Sequence, residues 1–489
     1  MAEPTHVLGI DIGTGGCRTL VIGLSDGKVT AAADASYPLS TPAPGWSEQD
    51  PADWWQACCQ SIASAMQRAN IEPSHIACVG LTGQMHGLVV LDKHHEVLRP
   101  AMLWNDGRTE AECADMDQRI GRKRLIQITG KPALTSFTAP KLLWLRAHEP
   151  AVWSRITQVM LPKDDIRRRL TGVCAIDVTD ASGTSMLDVS TRNWSHEVLT
   201  HLDLDPSWLP DVHESPTVVG AITPNAAKQT GLMAGIPVVA GAGDQAAAGL
   251  ACGIADDSVI SVNLGTSGVI FAACQDAPID VSGSMHTFCH AVPHTCHLMG
   301  CMLSAGGSLQ WYRNTFCPDL DYDTIINEAT SVDMGCEGLS FAPYLTGERT
   351  PHQDASLTGA FHGITNRHSR AHFSRAVLEG ILHGLLDSID LVQQIGRQPT
   401  HVRMTGGGAR SATWRRMAAD IFGLPVTTVN VTDGSAYGAG MLAMVAAGRY
   451  PDVSDCMTNI IEETSSIDPQ NHDVDRHTAW MQAAHPRKD

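Results

Sequence analysis

The stretch HVLGIDIGTGG, residues 6 to 16, returns in altered form as ISVNLGTSGV at residues 260 to 269. Both are apolar runs that end in a glycine turn, which is the pattern of a buried strand followed by a reversal of the chain. The first carries Asp11 at the position where the second carries Asn263. Two such copies in one chain predict two related halves.

The residues around the first copy predict a series of strands and one helix. Asp26-Gly27 is a two-residue hairpin signal, and Asp50 followed by Pro51 is a helix start. In chain order, the predicted elements are strands at residues 6 to 14, 17 to 25 and 28 to 37, a helix at residues 50 to 70 and a strand at residues 75 to 84.

The residues around the second copy predict a similar series. It consists of strands at residues 258 to 264 and 269 to 274, a helix at residues 372 to 395 and a strand that begins at residue 401. We therefore predict an α/β fold with two related domains that face each other across a cleft. The first domain is expected to span residues 1 to 253 and the second residues 254 to 489.

Length and composition indicate a folded globular protein. The 489 residues are too many for one ordinary core, and the net charge of −18 argues against a nucleic-acid partner, which would need a basic surface. We expect no signal peptide, because the first ten residues, MAEPTHVLGI, contain neither a basic nor an apolar region of the kind that such peptides have. We expect no membrane partner, because the most apolar run, residues 236 to 254, carries Asp244 near its centre. The 14 cysteines, without a CxxC pair, indicate reduced thiols in a cytoplasm.

The two glycine turns are predicted to bind the phosphates of one ligand from both halves. Glycine lets the backbone approach a polyphosphate and point successive N–H groups at its oxygens. The divalent cation that shields ATP phosphates needs a carboxylate on only one side, which suits Asp11 opposite Asn263. A single glycine hairpin is usually just a turn, so the prediction depends on the matching contexts of the two copies.

A third glycine cluster, MTGGGARSATWRRMAADIFG at residues 404 to 423, follows a predicted strand and opens a helix. Its glycines would lie against a nucleotide base or ribose at the N-terminus of that helix. They would equally serve as a tight connection between strand and helix, and the spacing leaves both interpretations open.

Eight motifs, in this order, resemble the FGGY family of carbohydrate kinases over nearly the whole chain. They are GIDIGTGG (9 to 16), GQMHG (83 to 87), LWNDGRT (103 to 109), SFTAPKLLW (136 to 144), AGAGDQAAAG (240 to 249), NLGTSG (263 to 268), LTGERTPH (345 to 352) and TGGGARS (405 to 411). Within the family, the sequence is most similar to the branch that acts on D-xylulose. The resemblance implies two ribonuclease-H-like domains of the actin-like ATPase kind, with ATP and Mg²⁺ as cofactors, D-xylulose as substrate and, as a further hypothesis, a homodimer.

The resemblance also implies roles for individual residues. Asp244 matches the general base, and Asp11 matches the aspartate linked to the metal. Met85 and His86 match the residues that contact the sugar. The positions matched to the nucleotide and its phosphates are Thr14, Gly265, Thr266, Gly306, Gln310, Gly406, Gly407 and Gly408. Gln245 departs from the asparagine of some members that act on D-xylulose, which leaves the sugar less settled.

Several candidate residues also have a structural interpretation. An aspartate before a helix, such as Asp244, is a common N-cap, and a histidine such as His86 is often structural although it could donate to sugar hydroxyls. Trp104, Asn105 and Asp106 offer an aromatic wall and polar groups of the kind that sugar pockets use, and the last two also suit a turn.

Two further charged or metal-binding patterns are expected to be structural. Glu348 and Arg349 suggest an ion pair near the hinge rather than a site. The segment HTFCHAVPHTCHLMGC, residues 286 to 301, is rich in histidine and cysteine but lacks a paired metal-ligand spacing. We expect two strands there, around Pro293-His294.

Three functional hypotheses remain after these observations. A pentulose kinase is favoured by GQMHG and by the Asp244-Gln245 pair. A nucleotide-switch protein of the actin or chaperone kind would use ATP to bind a partner, and its ATP turnover would not respond to sugar. A kinase for another ketose or polyol, such as ribulose or glycerol, is a closer rival, since the sequence does not settle stereochemistry at each hydroxyl.

Overall fold

The computed structural model describes residues 4–484, and its main features are two mixed β-sheets with helices on their faces. The strands of the first half are β1 (His6–Ile12), β2 (Gly16–Gly23), β3 (Val29–Ser36), β4 (Glu48–Gln49), β5 (Ile76–Gly83), β6 (Val89–Leu91), β7 (Ala101–Met102), β8 (Gln158–Met160), β9 (Ala175–Asp177), β10 (Leu187–Asp188), β11 (Asn193–Trp194), β12 (Asp211–His213), β13 (Val218–Ala221), β14 (Pro237–Val239) and β15 (Ala242–Gly243). Its α-helices are α1 (Pro51–Ala69), α2 (Glu110–Met116), α3 (Arg122–Thr129), α4 (Thr138–His148), α5 (Pro150–Trp153), α6 (Pro162–Thr171), α7 (Val178–Ser182), α8 (His196–Leu202), α9 (Pro224–Thr230) and α10 (Asp244–Ala251).

The second half continues the same alternation of strands and helices. Its strands are β16 (Val259–Leu264), β17 (Gly268–Cys274), β18 (His286–Cys289), β19 (Cys296–Met302), β20 (Ser340–Ala342), β21 (Ala360–His362), β22 (His401–Thr405), β23 (Val426–Val429) and β24 (Glu463–Ile467). Its α-helices are α11 (Gly306–Phe316), α12 (Tyr322–Ala329), α13 (Arg370–Gln394), α14 (Ala412–Phe422), α15 (Gly434–Ala446), α16 (Val453–Ile460) and α17 (Val474–Ala484). Short 3₁₀ helices lie at Pro73–His75, Pro206–Trp208, Cys336–Gly338 and Gly407–Arg410, and a π-helix lies at Asp117–Gly121.

The two large sheets repeat one strand order. Written from the corresponding edge, the first sheet runs β3-β2-β1-β5-β14-β13, with β15 also paired to β5. The second runs β18-β19-β17-β16-β22-β23-β24, with β18 as an additional strand at its edge. In both sheets the strand that precedes the glycine turn is antiparallel to the next strand and parallel to a later one: β1 pairs with β2 and β5, and β16 pairs with β17 and β22. The predicted pair of related α/β, ribonuclease-H-like domains is confirmed.

Local signals set the start of α1 where the sequence predicted it. The Asp50 side chain accepts a hydrogen bond from the Ala52 N–H at 2.9 Å, and Pro51 is the first residue of α1. The histidine- and cysteine-rich segment forms β18 and β19, which pair antiparallel as expected. The apolar run at residues 236 to 254 forms β14, β15 and α10. Within residues 4–484, no helix combines the length and the apolar composition needed to cross a bilayer.

One helix of the second half packs on the sheet of the first. A core cluster joins Val7 of β1, Leu250 of α10 and Met441 of α15. A Cβ atom added at Gly438 would lie 1.9 Å from the Ala247 carbonyl oxygen, so α15 and α10 touch through backbone. The proposed domain boundary between residues 253 and 254 stays a prediction. Helix α15 follows this boundary in the chain but packs against elements that precede it.

Candidate active site

A cavity of about 170 Å³ lies between the two halves. Loops at the ends of β1, β5 and β7 and the first turn of α10 line it from one side, and the start of β17, strands β18 and β19 and the loop at residue 349 line it from the other. The lining residues are Thr14, Met85, His86, Trp104, Ser136, Phe137, Asp244, Gln245, Ser267, Val269, His286, Met299, Cys301 and Arg349. Five candidates from the sequence, which are Thr14, Met85, His86, Trp104 and Asp244, therefore share one cavity.

Asp244 is the first residue of α10 and is not the N-cap, a position that Gly243 occupies. Burial raises the pKa of the Asp244 carboxyl to about 7, the nearby Asp11 carboxylate adds to the rise, and hydrogen bonds from Gln245 oppose it. A carboxylate with a pKa near neutrality can accept a proton in one step and release it in the next, which is what a general base requires.

Asp11 lies at the end of β1, beside the turn that Thr14 belongs to. Its Oδ2 accepts a hydrogen bond from the Ser435 hydroxyl at 2.6 Å, while Oδ1 is buried and has no hydrogen-bond partner within the described residues. Burial raises the pKa of this carboxyl, and the bond from Ser435 opposes the rise. An unpartnered carboxylate oxygen next to Asp244 is a chemically suitable ligand for a hard divalent cation.

The His86 ring is held in one tautomer. Its Nδ1 lies 2.7 Å from the Gly183 carbonyl oxygen, and a carbonyl only accepts, so Nδ1 carries the proton. Burial, together with the Lys141 charge, lowers the pKa of His86 well below its usual value, so the ring is neutral. The remaining nitrogen, Nε2, is an acceptor, which corrects the expectation that His86 donates to sugar hydroxyls.

Of the three adjacent candidates Trp104, Asn105 and Asp106, only Trp104 lines the cavity. The Trp104 Nε1 donates to the Thr14 hydroxyl at 2.9 Å, which links two residues of the cavity. Asn105 is exposed and is not among the lining residues. Asp106 is buried away from the cavity, and its carboxylate accepts from the Ser47 N–H at 2.7 Å and from Arg108 at 2.6 Å. Of the two alternatives for Asp106, the structure favours the turn.

A groove of about 720 Å³ contains most of the residues matched to the nucleotide. Candidates from the sequence that line it are Gly265, Thr266, Gly306, Gln310, Gly407 and Gly408. The Gly306 N–H donates to the Gly265 carbonyl at 2.9 Å, so the start of α11 holds the glycine turn in place. The next residue of that turn, Ser267, lines the sugar-sized cavity. The turn at residues 265 to 267 therefore forms a wall shared by groove and cavity.

The third glycine cluster lies beside this groove. Gly406 has a φ of 81°, and a Cβ there would lie 2.6 Å from the Asn263 Oδ1, so this position requires glycine. A Cβ at Gly407 would meet no atom within 4 Å, because this residue faces open space in the groove. The two interpretations are compatible: Gly406 serves the tight connection, and Gly407 leaves room for a ligand.

Glu348 and Arg349 do not form the structural ion pair expected from the sequence. The Glu348 Oε1 instead accepts from the backbone N–H groups of Leu303, at 2.9 Å, and Arg349, at 2.7 Å. The Arg349 side chain lines the cavity. Sequence reasoning also missed Ser435, whose place opposite Asp11 is set by the packing of α15 on the first sheet.

A buried ionic network supports the backbone just before Asp244. The Lys163 Nζ lies 2.6 Å from an Asp164 oxygen and 2.9 Å from an Asp177 oxygen, and none of the three side chains is exposed. The Thr179 hydroxyl accepts from the Gly243 N–H at 2.7 Å and itself donates to Asp177. Asp164, Asp177 and Asp180 are close enough for a metal site, but the Lys163 ammonium group lies within 3.3 Å of an oxygen of each and takes the place of a cation there. The network fixes the start of α10 and thereby the direction of Asp244.

Comparison with known proteins places the chain in a family. Models of the FGGY family of carbohydrate kinases match it twice, the N-terminal domain at residues 6–251 and the C-terminal domain at residues 260–447. The xylulose kinase of Escherichia coli (strain K12) is 40% identical over 97% of this chain and 96% of its own length, and that of Bacillus subtilis (strain 168) is 36% identical over 96% and 94%. The crystal structure of xylulose kinase from Rhodospirillum rubrum superposes with a TM-score of 0.90 at 30% identity, covering 98% of this chain and 97% of that one.

Proposed function

This chain belongs to the FGGY family of carbohydrate kinases, and from that premise we propose that it transfers the γ-phosphoryl group of ATP to the 5-hydroxyl of D-xylulose, with Asp244 as the general base. The observation that carries the proposal is the shared wall at residues 265 to 267. This turn faces the nucleotide-sized groove on one side and the cavity of Asp244, Met85 and His86 on the other. A phosphoryl group in the groove and a hydroxyl in the cavity would meet at that turn.

Each side chain has a distinct part in the proposed reaction. Asp244 accepts the proton of the sugar hydroxyl while the hydroxyl oxygen attacks the γ-phosphorus and the bond from that phosphorus to the bridging oxygen of ADP breaks. The His86 Nε2 accepts from a second hydroxyl and orients the sugar. The backbone N–H groups of the glycine turns bind the phosphate oxygens, where negative charge is greatest.

The residues at Asp11 fit the magnesium ion that accompanies ATP in such reactions. The partnerless Asp11 Oδ1 would bind the ion, and the bond from Ser435 to Oδ2 keeps the carboxylate oriented. Bound Mg²⁺ would neutralise charge on the phosphates. The Asn263 side chain, at the equivalent position in the second half, carries no charge, so one half alone supplies the carboxylate.

The cytoplasm is the compartment that we propose for this reaction. All 14 cysteines are free in the structure, which suits a reducing compartment. The homodimer stays a prediction.

A substrate panel tests the proposed function. Purified protein with ATP and Mg²⁺ is incubated with D-xylulose, D-ribulose, L-xylulose, glycerol and no acceptor, and ADP and sugar phosphate are measured together. We expect D-xylulose to have the highest kcat/KM, with one sugar phosphate for each ADP and the phosphate on C5. ATP turnover that does not respond to any sugar would instead favour the nucleotide-switch hypothesis. A preference for glycerol or D-ribulose would favour the closer rival.

A further inference from the structure

The Arg349 guanidinium is a cation that lines the cavity and forms no ion pair within the described residues. It belongs to the second half of the chain and lines the same cavity as His86 and Asp244, which belong to the first. Within the described residues, no carboxylate oxygen lies within the 4.0 Å of an ion pair with this side chain, because the adjacent Glu348 is bonded to backbone N–H groups. Its five N–H donors are therefore available to a ligand in the cavity.

The charge of Arg349 acts on two histidines of the cavity. Burial lowers the pKa of His286 to about 3, with Arg349 the next contributor, and the same guanidinium contributes to the lowered pKa of His86. The pKa of Asp244 responds instead to burial, Asp11 and Gln245. The guanidinium therefore lies close enough to His86 and His286 for its charge to act on both rings.

The donors and acceptors of the cavity determine which sugar oxygens each side chain can bind. The Asp244 carboxylate and the His86 Nε2 only accept, so both must bind hydroxyls, which have a proton to donate. A ketone oxygen only accepts, so it needs a donor. Arg349 donates and never accepts, and hydrogen bonds from a charged donor are about twice as strong as neutral ones.

We propose that Arg349 is a specificity-determining residue that donates to the carbonyl oxygen of the ketose, at the end of the sugar opposite the hydroxyl that Asp244 deprotonates. This inference rests on the proposed function, since it takes Asp244 as the transfer end. It follows that the cavity prefers a ketose to the pentitol formed by its reduction. The pentitol places a hydroxyl at that carbon, and the proton of this hydroxyl then needs an acceptor that a guanidinium cannot supply.

The test compares Arg349→Met and Arg349→Lys with the parent and with a matched control. Arg367→Met is the control, because Arg367 is an exposed arginine that pairs with Glu337 at 2.8 Å. KM and kcat are measured for D-xylulose, and the inhibition constant is measured for the two pentitols that correspond to reduced D-xylulose. We expect Arg349→Met to raise the KM for D-xylulose about 10- to 100-fold, and to change the inhibition constants of the pentitols by less than about threefold. The lysine variant, which keeps the charge but loses the fork, should fall between parent and methionine variant.

Two results would overturn the inference. An unchanged KM for D-xylulose in both variants would show that Arg349 makes no important contact with the ketose. Equal losses for ketose and pentitols would assign it to the shape of the cavity or to the phosphoryl group. If the methionine variant fails to fold, as judged by its Tm and by binding of an ATP analogue, the lysine variant provides the test. Its change in KM for D-xylulose is then compared with its change in the inhibition constants of the pentitols. A parent that does not phosphorylate D-xylulose would instead refute the proposed function.

Discussion

At His86, a hydrogen bond to a backbone carbonyl determines how the side chain can bind a substrate. The residue has a φ of 68°, a left-handed conformation that asparagine tolerates better than most residues. Since Nδ1 is bonded to the Gly183 carbonyl, the ring can offer the sugar only a lone pair. The motif GQMHG indicated a contact residue, and the carbonyl supplies the direction of the hydrogen bond.

Replacement of His86 by Asn tests this contact. The variant suits the backbone conformation but its shorter side chain withdraws the Nε2 acceptor from the cavity. We expect the KM for D-xylulose to rise about fivefold to tenfold, the scale of one neutral hydrogen bond, while the KM for ATP stays within about twofold of the parent. Steady-state kinetics with each substrate varied in turn provide the measurement. A parallel rise in both KM values would indicate a structural role for His86.

Single residues show where sequence reasoning reached its limit. Asp244 and Met85 could be placed in a site because each lies within a motif next to a predicted strand or helix. Arg349 was expected in a structural ion pair, because opposite charges on adjacent residues suggest that the two side chains pair. The sequence does not show that the Glu348 carboxylate is already bound by backbone N–H groups. Ser435 could not be found at all, since its contact with Asp11 joins residues 424 positions apart.

Helix α15 owes its position to glycines. At Gly438, an added Cβ would lie 1.9 Å from the Ala247 carbonyl oxygen of α10, and at Gly80 of β5 it would lie 1.8 Å from the Ala439 carbonyl oxygen. Backbone atoms cannot move aside as a flexible side chain can. Close contact of α15 with both α10 and the first sheet therefore depends on these residues having no side chain.

A pair of glycine-to-alanine changes isolates this close contact. Both Gly438 and Gly384 lie inside helices, where alanine is favoured by about 1 kcal/mol. Near Gly384 the closest atom to a new Cβ would be the mobile end of Met302, at 3.3 Å. We expect Gly438→Ala to lower the free energy of unfolding by about 3 kcal/mol through overpacking, and Gly384→Ala to leave it within about 1 kcal/mol of the parent. Urea unfolding measures both, and equal effects would contradict backbone contact at Gly438.

The last helix, α17, is attached to α13 through a charged histidine. The His477 Nε2 lies 3.2 Å from an Asp387 oxygen and 3.4 Å from an Asp390 oxygen. The ring also stacks on Trp480 and on His383. Burial lowers the pKa of His477, but the two carboxylates outweigh it and raise the pKa to about 9. The role of this segment was not visible in the sequence; the structure shows that an ion pair attaches it to α13, and we expect this attachment to depend on pH.

Replacement of His477 by Gln tests that attachment. A raised pKa means that the stabilisation is complete below the unfolded-state value of 6.5 and is lost as the pH rises through about 9. We expect the variant to be less stable than the parent by about 1 to 3 kcal/mol at pH 7 and to match it near pH 10. Thermal unfolding across this range provides the measurement, with the exposed His201→Gln as control. A difference that does not change with pH would contradict a charged His477.

On the scale of the whole molecule, the succession of strands and helices around each glycine turn could be predicted, but the order of strands within each sheet and the packing between halves could not. The two glycine turns and the strands around them identified a repeated α/β unit, because apolar periodicity and glycine are local signals. Which sheet a helix covers is a tertiary choice, and α15 is similar in composition to any buried helix. The sequence therefore indicated two domains and a cleft, whereas only the structure shows that α15 of the second half packs on the sheet of the first.

Because residues of both halves line the cavity, binding of both substrates should draw the halves together. Closure excludes water from the γ-phosphate, which would otherwise compete with the sugar hydroxyl. We expect small-angle X-ray scattering to give a smaller radius of gyration with D-xylulose plus a non-hydrolysable ATP analogue than with either alone. An unchanged radius of gyration would argue against closure of the two halves.

The central claim is that Asp244 accepts the proton of the sugar hydroxyl. With a pKa of about 7, it must be ionised to act, so kcat/KM of the parent should fall as the pH decreases below about 7. Asparagine has nearly the same shape and cannot accept this proton.

The most direct measurement is therefore the turnover of D-xylulose by an Asp244→Asn variant that is shown to be folded and to bind an ATP analogue with the affinity of the parent. We expect kcat to fall about 100-fold or more, with no remaining decrease of activity near pH 7. A folded Asp244→Asn variant that phosphorylates D-xylulose at close to the parent rate would contradict the assignment of Asp244 as the base.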